Sequence, residues 1–223
     1  NIDRPDHGIW EMRGDLHHFT HGRVMMWAAF DRGIEAVERH GLDGDVAVWR
    51  DYRERLAAEI WERGFNGERN AFTQTYEGTE VDASLLQIPQ TGFVAADSPV
   101  MLATVARIEE DLVDAHGFVR RYVPDGSDGV GGGEGAFLMC TFWLVEQYAR
   151  SGRRDEAAAL MDRLLQVRND DRAPRRSSTF RIRRAAREFR QQLPLDIAQV
   201  DGAFGKAGNA GAAQCLLLLP RYG

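Results

Sequence analysis

The sequence has almost no lysine, few cysteines and no long apolar run. Lys206 is the single lysine among 28 basic residues, which suggests a GC-rich coding sequence rather than a functional choice. The two cysteines, Cys140 and Cys215, cannot make a disulfide framework, and both lie in apolar stretches. We therefore expect buried thiols and a reducing, cytoplasmic compartment. No apolar run approaches the roughly 20 residues of a membrane helix, so we expect a soluble chain without a membrane partner.

Charge is unevenly distributed along the chain. The net charge is -6, yet residues 172–190 carry eight arginines and one acid, Glu188. A basic arm can neutralise nucleic-acid phosphates, but here only Phe180 and Phe189 are interleaved with the arginines. A solvated tail is the simpler interpretation, and we expect no nucleic-acid partner.

Helical periodicity dominates residues 23–170. Apolar spacing predicts a first helix from Arg23 to the stop at Gly41 and a second from about Asp45 to Arg63, packed as an antiparallel pair. Further helices are predicted over residues 82–88 with Pro89 as an interruption, 98–113 with Ser98-Pro99 as its start, 134–150 and 155–167. No segment alternates in a way that requires a strand. Helix pairs repeating about every 40 residues suit an α-solenoid or an α/α toroid.

The loops between helix pairs are longer than connection alone requires. They cover residues 8–22, 66–79 and 114–135, the last with a glycine run at 131–133. Functional residues gather on loops held by a rigid scaffold, and alternate loops of a toroid converge on one end. No Gly-Lys-Ser/Thr follows the glycine run, so we interpret it as backbone passing close to a ligand or to Glu134.

Residues 8–14 place an indole beside a carboxylic acid and a guanidinium. Trp10 can stack on the C–H face of a sugar ring, and Arg13 can bind its hydroxyls. Burial of Glu11 against the indole would favour the protonated acid that glycosidic cleavage requires. The same residues also fit a tryptophan at the edge of a core beside a solvated charge.

Three histidines, His17, His18 and His21, have a spacing that could bind zinc. No further His or Cys cluster completes a set of ligands, and residues 18–21 fit a turn that enters the helix at Arg23. We therefore expect no metal and no cofactor.

Five sequence blocks occur in the order of a known family. They are Gly-Ile-Trp-Glu-Met-Arg-Gly at 8–14, the run at 18–33, the Asp-Ala-Ser helix start at 81–86, the Arg-Tyr loop at 119–122 and the late helix at 133–144. Together they resemble the bacterial branch of glycoside hydrolase family 15, which holds glucoamylases, glucodextranases and some trehalases. The resemblance covers about residues 4–170.

The resemblance implies an all-α fold, part of an (α/α)6 toroid of six helical hairpins, and exo-hydrolysis of α-linked glucose with inversion. Glu11, at the family's Trp-Glu position, would be the general acid. Inversion also requires a carboxylate base about 6.5–9.5 Å away, which activates a water on the opposite face of the sugar. The residues implied to line the glucose pocket are Trp10, Arg13, Asp82, Arg121 and Glu134. The partner would be an α-glucoside, namely a maltooligosaccharide, a dextrin or trehalose.

The resemblance breaks after residue 170. The family continues there with Gly-Leu-Leu and an acidic pair that includes the catalytic base, whereas residues 171–176 read Asp-Arg-Ala-Pro-Arg-Arg. One explanation is a shift of reading frame, because codons for residues 172–174 can encode Gly-Leu-Leu when read one base later. Residues 177–179 match the family only two bases later, so this explanation requires more than one shift. The predicted organisation is the C-terminal half of a catalytic domain over 1–170, a divergent arginine-rich segment over 171–193, and a remnant of the last barrel helix with a tail over 194–223.

Two functions of different classes follow from these features. The first is a fragment of an inverting, exo-acting α-glucoside hydrolase that lacks the N-terminal half of the barrel and the base, and is inactive alone. The second is a non-catalytic helical module that binds a sugar or a protein through the uncovered inner face of the toroid. The residues present do not separate a trehalase from a glucoamylase.

Overall fold

The structure is a computed structural model that describes residues 2–123 and 135–167. The chain divides into two compact units, Asn1–Leu160 and Met161–Gly223, and the functional features described below lie in the first. Glu134, Cys215 and the predicted segments 171–193 and 194–223 lie outside the described residues. Cys140 is buried, as expected. None of the helices within the described ranges is long and apolar enough to cross a membrane.

Six α-helices make up most of the described chain. Their bounds are α1 Thr20–His40, α2 Val46–Glu59, α3 Ile88–Thr91, α4 Pro99–Leu112, α5 Leu138–Arg150 and α6 Arg154–Gln166. A π-helical turn, Ile60–Gly64, prolongs α2, and a 3₁₀ turn, Ala83–Gln87, leads into α3. A short antiparallel hairpin joins β1, Phe65–Asn66, to β2, Ala71–Phe72. The predicted all-α class is confirmed. Within the described ranges this two-residue hairpin is the only β-strand pairing besides isolated bridges.

The first two helices form the predicted antiparallel pair. Three ion pairs join the two helices, namely Arg23–Glu59, Asp31–Arg53 and Glu38–Arg50. Later residues of α1 pair with earlier residues of α2, as in an antiparallel arrangement. Gly33 allows close approach, since a Cβ at this position would lie 3.1 Å from the Trp49 ring. The pair is therefore held by packing along its length and by charge at its surface.

Most helix ends follow the signals in the sequence. Gly41 ends α1 with a left-handed φ of 68°. Asp45 caps α2 by accepting a hydrogen bond from the Val48 N–H at 3.2 Å, and Ser98 likewise caps α4, with Pro99 in the first turn. The prediction at Pro89 was wrong. Pro89 lies in the first turn of α3, where its missing N–H is not needed, so the helix continues through it.

Three long loops meet at the N-terminal ends of α1, the 3₁₀ turn and α5. Phe19 pairs with Thr75, and Asp82 pairs with Tyr122, in isolated β-bridges. The Phe137 N–H donates to the Val119 carbonyl at 2.9 Å, which keeps residues 135–137 out of the helix and starts α5 later than predicted. Trp10, Asp82 and Arg121, which the sequence assigns to chemistry, therefore lie where these loops meet.

The hydrophobic core lies beneath these loops. It includes fully buried side chains from α2, the 3₁₀ turn, α3, α4 and α5, namely Leu56, Leu85, Leu86, Ile88, Met101, Ile108, Leu112 and Leu144. This core is the rigid base on which the loops are fixed.

Candidate active site

Trp10 and Glu11 lie in a tight turn just before α1. The Glu11 N–H donates to the Gly8 carbonyl at 3.2 Å, and Glu11 has a left-handed φ of 52°. Gly8 has a φ of 66°, and a Cβ at this position would lie 2.7 Å from the Phe19 ring. The turn thus packs directly against the start of α1, and only glycine fits at its first position.

Asp82 provides the buried carboxyl of the site. It is 1% exposed. The Trp10 indole Nε1–H donates to Oδ2 at 2.6 Å, and the Ser84 hydroxyl donates to Oδ1 at 2.7 Å. These hydrogen bonds favour the charged form, but burial outweighs them and raises the pKa of Asp82 to about 6. In mild acid this side chain therefore exchanges a proton while enclosed by protein.

Arg121 lies among aromatic rings beside Trp10. Its guanidinium carbon Cζ is 5.7 Å from the centre of the Trp10 ring, 5.2 Å from that of Tyr122 and 5.8 Å from that of Phe137. All three distances lie within the range of cation–π attraction. Trp143 adds a further ring, with its centre 6.0 Å from that of Trp10. The aromatic faces can hold the guanidinium in place beside the Trp10 indole.

The structure brings three of the predicted site residues into direct contact, namely Trp10, Asp82 and Arg121. Glu11 and Arg13 belong to the same loop as Trp10, and both side chains are exposed. The buried carboxyl that touches the indole is thus Asp82 and not Glu11, because Glu11 lies on the exposed side of the turn. The role of Glu11 as general acid stays a prediction, as do the sugar contacts of the other residues. Glu134 lies outside the described residues.

Four residues of the site were not singled out from the sequence. Ser84, Tyr122, Phe137 and Trp143 all lie inside the blocks that carry the family resemblance, so their positions were visible but their contacts were not. A serine two residues after an aspartate is a usable local signal, because it can reach the same carboxylate. The bond between Trp10 and Asp82 joins residues 72 positions apart, and nothing local indicates it.

The three histidines have separate neighbours. The ring centre of His17 lies 6.3 Å from that of Phe19, and that of His18 lies 5.8 Å from that of Tyr76. His21 is half-buried on α1, and burial lowers its pKa to about 4. In the two described ranges, no group of three His, Cys, Asp or Glu side chains is arranged to hold a metal ion.

Comparison with known proteins identifies the family. The model of glycosyl hydrolases family 15 matches residues 1–197. The chain belongs to glycosyl hydrolase family 15.

Curated relatives of this family 15 chain include trehalases. It is 41% identical over 162 residues to Trehalase of Mycobacterium tuberculosis, covering 72% of this chain and 24% of that protein. It is 37% identical over 166 residues to Trehalase of Thermoplasma volcanium, covering 74% of this chain and 26% of that protein. The chain thus spans about a quarter of the length of these relatives.

Solved glycosidases share the fold of this family 15 chain. A glycosidase variant in complex with glucose superposes with a TM-score of 0.63 at 20% identity, covering 74% of this chain and 42% of that one. The wild-type glycosidase superposes with the same TM-score over 73% of this chain. At this identity the likeness shows the fold, and it supports the toroid-type helical architecture that the sequence predicts.

Proposed function

We propose that this family 15 chain supplies the proton-donor side of a site that hydrolyses an α-glucoside, with trehalose as the first candidate substrate. The observation that carries the proposal is the contact of Trp10 with both Asp82 and Arg121, beside Glu11, where three loops converge. Trehalases align with 72–74% of the chain, which supports trehalose ahead of maltooligosaccharides and dextrins.

In the proposed mechanism Glu11 protonates the glycosidic oxygen as the bond to the leaving sugar breaks. Trp10 packs on the apolar face of the ring, and Arg121 and Arg13 donate hydrogen bonds to sugar hydroxyls. An exo-acting, inverting reaction also needs a carboxylate base about 6.5–9.5 Å from the acid. Asp82 does not suit that role because it is 1% exposed and cannot reach bulk water. We propose that this chain does not contain the base, because the family's acidic pair after residue 170 is replaced by other residues.

A chimera tests the proposal. The 162 matching residues of the Mycobacterium tuberculosis trehalase would be replaced by the corresponding residues of this chain. We expect the chimera to hydrolyse trehalose and to release one β-glucose and one α-glucose per trehalose, because only the attacked anomeric carbon inverts; proton NMR of the fresh product detects both anomers. Replacing Glu11→Gln should lower kcat by about 10²–10⁴-fold, because the proton donor is lost.

Glu62→Gln is the matched control for this chimera, since Glu62 is an exposed glutamate in the π-helical turn. It should leave kcat unchanged. A folded chimera in which Glu11→Gln is as active as its parent would overturn the assignment of the acid. The isolated 223-residue chain should release little or no glucose from trehalose or maltose, and rapid release would contradict a site that needs a base from elsewhere.

Exposed apolar side chains favour a second candidate function, that of a module that binds a sugar or a protein without catalysis. Ile9 is 46% exposed, Phe137 45% and Met139 50%. Ile9 precedes Trp10, and the Phe137 ring centre lies 6.4 Å from that of Trp10, so these two side chains flank the candidate site. Exposed apolar side chains beside a candidate site are typical of a binding face.

A further inference from the structure

We propose that Asp82 is a positioning residue that fixes the Trp10 indole and, through it, the turn that carries Glu11. The statement about Glu11 rests on the proposed function, in which Glu11 is the general acid. The hydrogen bond between Asp82 and Trp10 itself is independent of any activity.

The Asp82 carboxylate has both oxygens engaged inside the protein. Oδ2 accepts from the Trp10 indole at 2.6 Å and Oδ1 accepts from the Ser84 hydroxyl at 2.7 Å. With 1% of the residue exposed, there is no open face that a sugar hydroxyl could approach. An arrangement of this kind suits an acceptor that orients a neighbouring side chain.

Asp82 is itself fixed to the scaffold. It directly precedes the 3₁₀ turn and forms a β-bridge with Tyr122. The neighbouring residues Val81 and Ala83 are fully buried, and the Ala83 N–H donates to the Arg121 carbonyl at 2.8 Å. The acceptor therefore belongs to the rigid part of the molecule, and the same backbone contact places Arg121.

Trp10, in contrast, belongs to a loop and has one polar handle. The indole Nε1–H is its only side-chain donor, so a single hydrogen bond to a fixed carboxylate selects the rotation of the ring. Glu11 follows in the chain with a left-handed φ of 52°. Such a conformation persists only where the surroundings hold it, and anchoring the preceding indole supplies that constraint.

The experiment uses the whole 223-residue chain labelled with ¹⁵N, and Trp10→Phe identifies the Trp10 indole signal. In Asp82→Leu, which has the same number of side-chain heavy atoms but no acceptor, we expect that signal to move upfield and its solvent exchange to accelerate about tenfold or more. The Glu11 amide signal should shift with it. Asp82→Asn keeps both the volume and an acceptor oxygen and should restore most of both signals. The upfield shift of the indole signal in Asp82→Leu reports loss of the hydrogen bond, which a role in packing volume alone does not predict.

Asp111→Asn is the control, because its carboxylate pairs with Arg69 on another part of the fold, and it should leave the indole signal in place. Unchanged indole and Glu11 signals in a folded Asp82→Leu protein would overturn the proposal. If Asp82→Leu does not fold, Trp10→Phe decides, since it keeps an aromatic side chain and loses the N–H. An unshifted Glu11 amide in Trp10→Phe would then overturn the proposal. These signals need no catalysis, so their failure is distinct from failure of the chimera assay.

Discussion

Asp82 is buried and His21 is half-buried, and burial makes both side chains prefer to be neutral in the folded protein. Burial raises the pKa of Asp82 to about 6 from 3.8, and lowers the pKa of His21 to about 4 from 6.5. As the pH falls from 6 to 4, folded Asp82 takes up a proton before unfolded Asp82 does, which increases stability. Over the same range His21 is protonated in the unfolded chain but stays neutral in the folded protein, which decreases stability. The two effects oppose each other in one pH window.

Single substitutions should separate these effects. Asp82→Asn removes the stabilising one, so we expect its free energy of unfolding to fall steeply between pH 6.5 and pH 4. His21→Gln removes the destabilising effect, so the free energy of unfolding of that variant should rise as the pH falls from 6.5 to 4. Each change should be on the order of 3 kcal/mol, as two pKa units or slightly more imply. Urea unfolding followed by circular dichroism at several pH values measures both, and parallel pH profiles for the two variants and the parent would contradict the account.

At the scale of a single element, the turn before α1 depends on glycine at one position and not at another. Gly8 has a φ of 66° and no room for a Cβ beside Phe19, whereas a Cβ at Gly14 would meet nothing within 4 Å. We expect Gly8→Ala to lower the free energy of unfolding by about 1–3 kcal/mol. It should also change the fluorescence of Trp10, which belongs to the same turn.

Gly14→Ala provides the matched comparison, since the substitution is the same and the loop is the same. Its free energy of unfolding should stay within about 0.5 kcal/mol of the parent. Equal losses in the two variants, measured by urea titration, would show that the loop responds to chain stiffness in general and not to the packing of Gly8 on Phe19.

Helix boundaries were readable from the sequence because their causes are local. Gly41, Asp45 and Ser98-Pro99 act on residues within one turn of themselves, so their chemistry fixes the ends of α1, α2 and α4. Pro89 was misjudged because its effect depends on whether a turn already precedes it. The π-helical turn at the end of α2 was not predicted. It differs from an α-helix by one residue in its hydrogen-bond spacing, and its five residues are too few to show a distinct periodicity.

At the scale of the whole molecule, the candidate site is assembled from loops far apart in the chain. The family resemblance predicted Trp10, Asp82 and Arg121 as individual site residues. The structure shows that they contact one another. Which carboxyl is buried against Trp10 depends on packing of the 3₁₀ turn beneath the first loop. That long-range packing is not encoded in any short window, so the sequence suggested Glu11 where the structure has Asp82.

The apolar surface beside the site should also govern association of the whole chain. Met139, 50% exposed in the first turn of α5, follows Phe137, which contacts Trp10. We expect concentration-dependent self-association in gel filtration, reduced by Met139→Ser because apolar surface is removed. Leu42→Ser is the control, since Leu42 is 59% exposed in the connection between α1 and α2. A compact monomer at all concentrations, without affinity for sugar, would remove the support for the second candidate function.

The left-handed backbone at Glu11 has a consequence for protein engineering. A residue other than glycine or asparagine at such a position costs the fold about 1 kcal/mol. A screen that ranks variants by heat resistance alone would therefore enrich Glu11→Gly and Glu11→Asn, and would discard the acid that we assign to the chemistry. A library designed to raise thermal stability should keep position 11 unchanged and vary residues of the helices away from the candidate site.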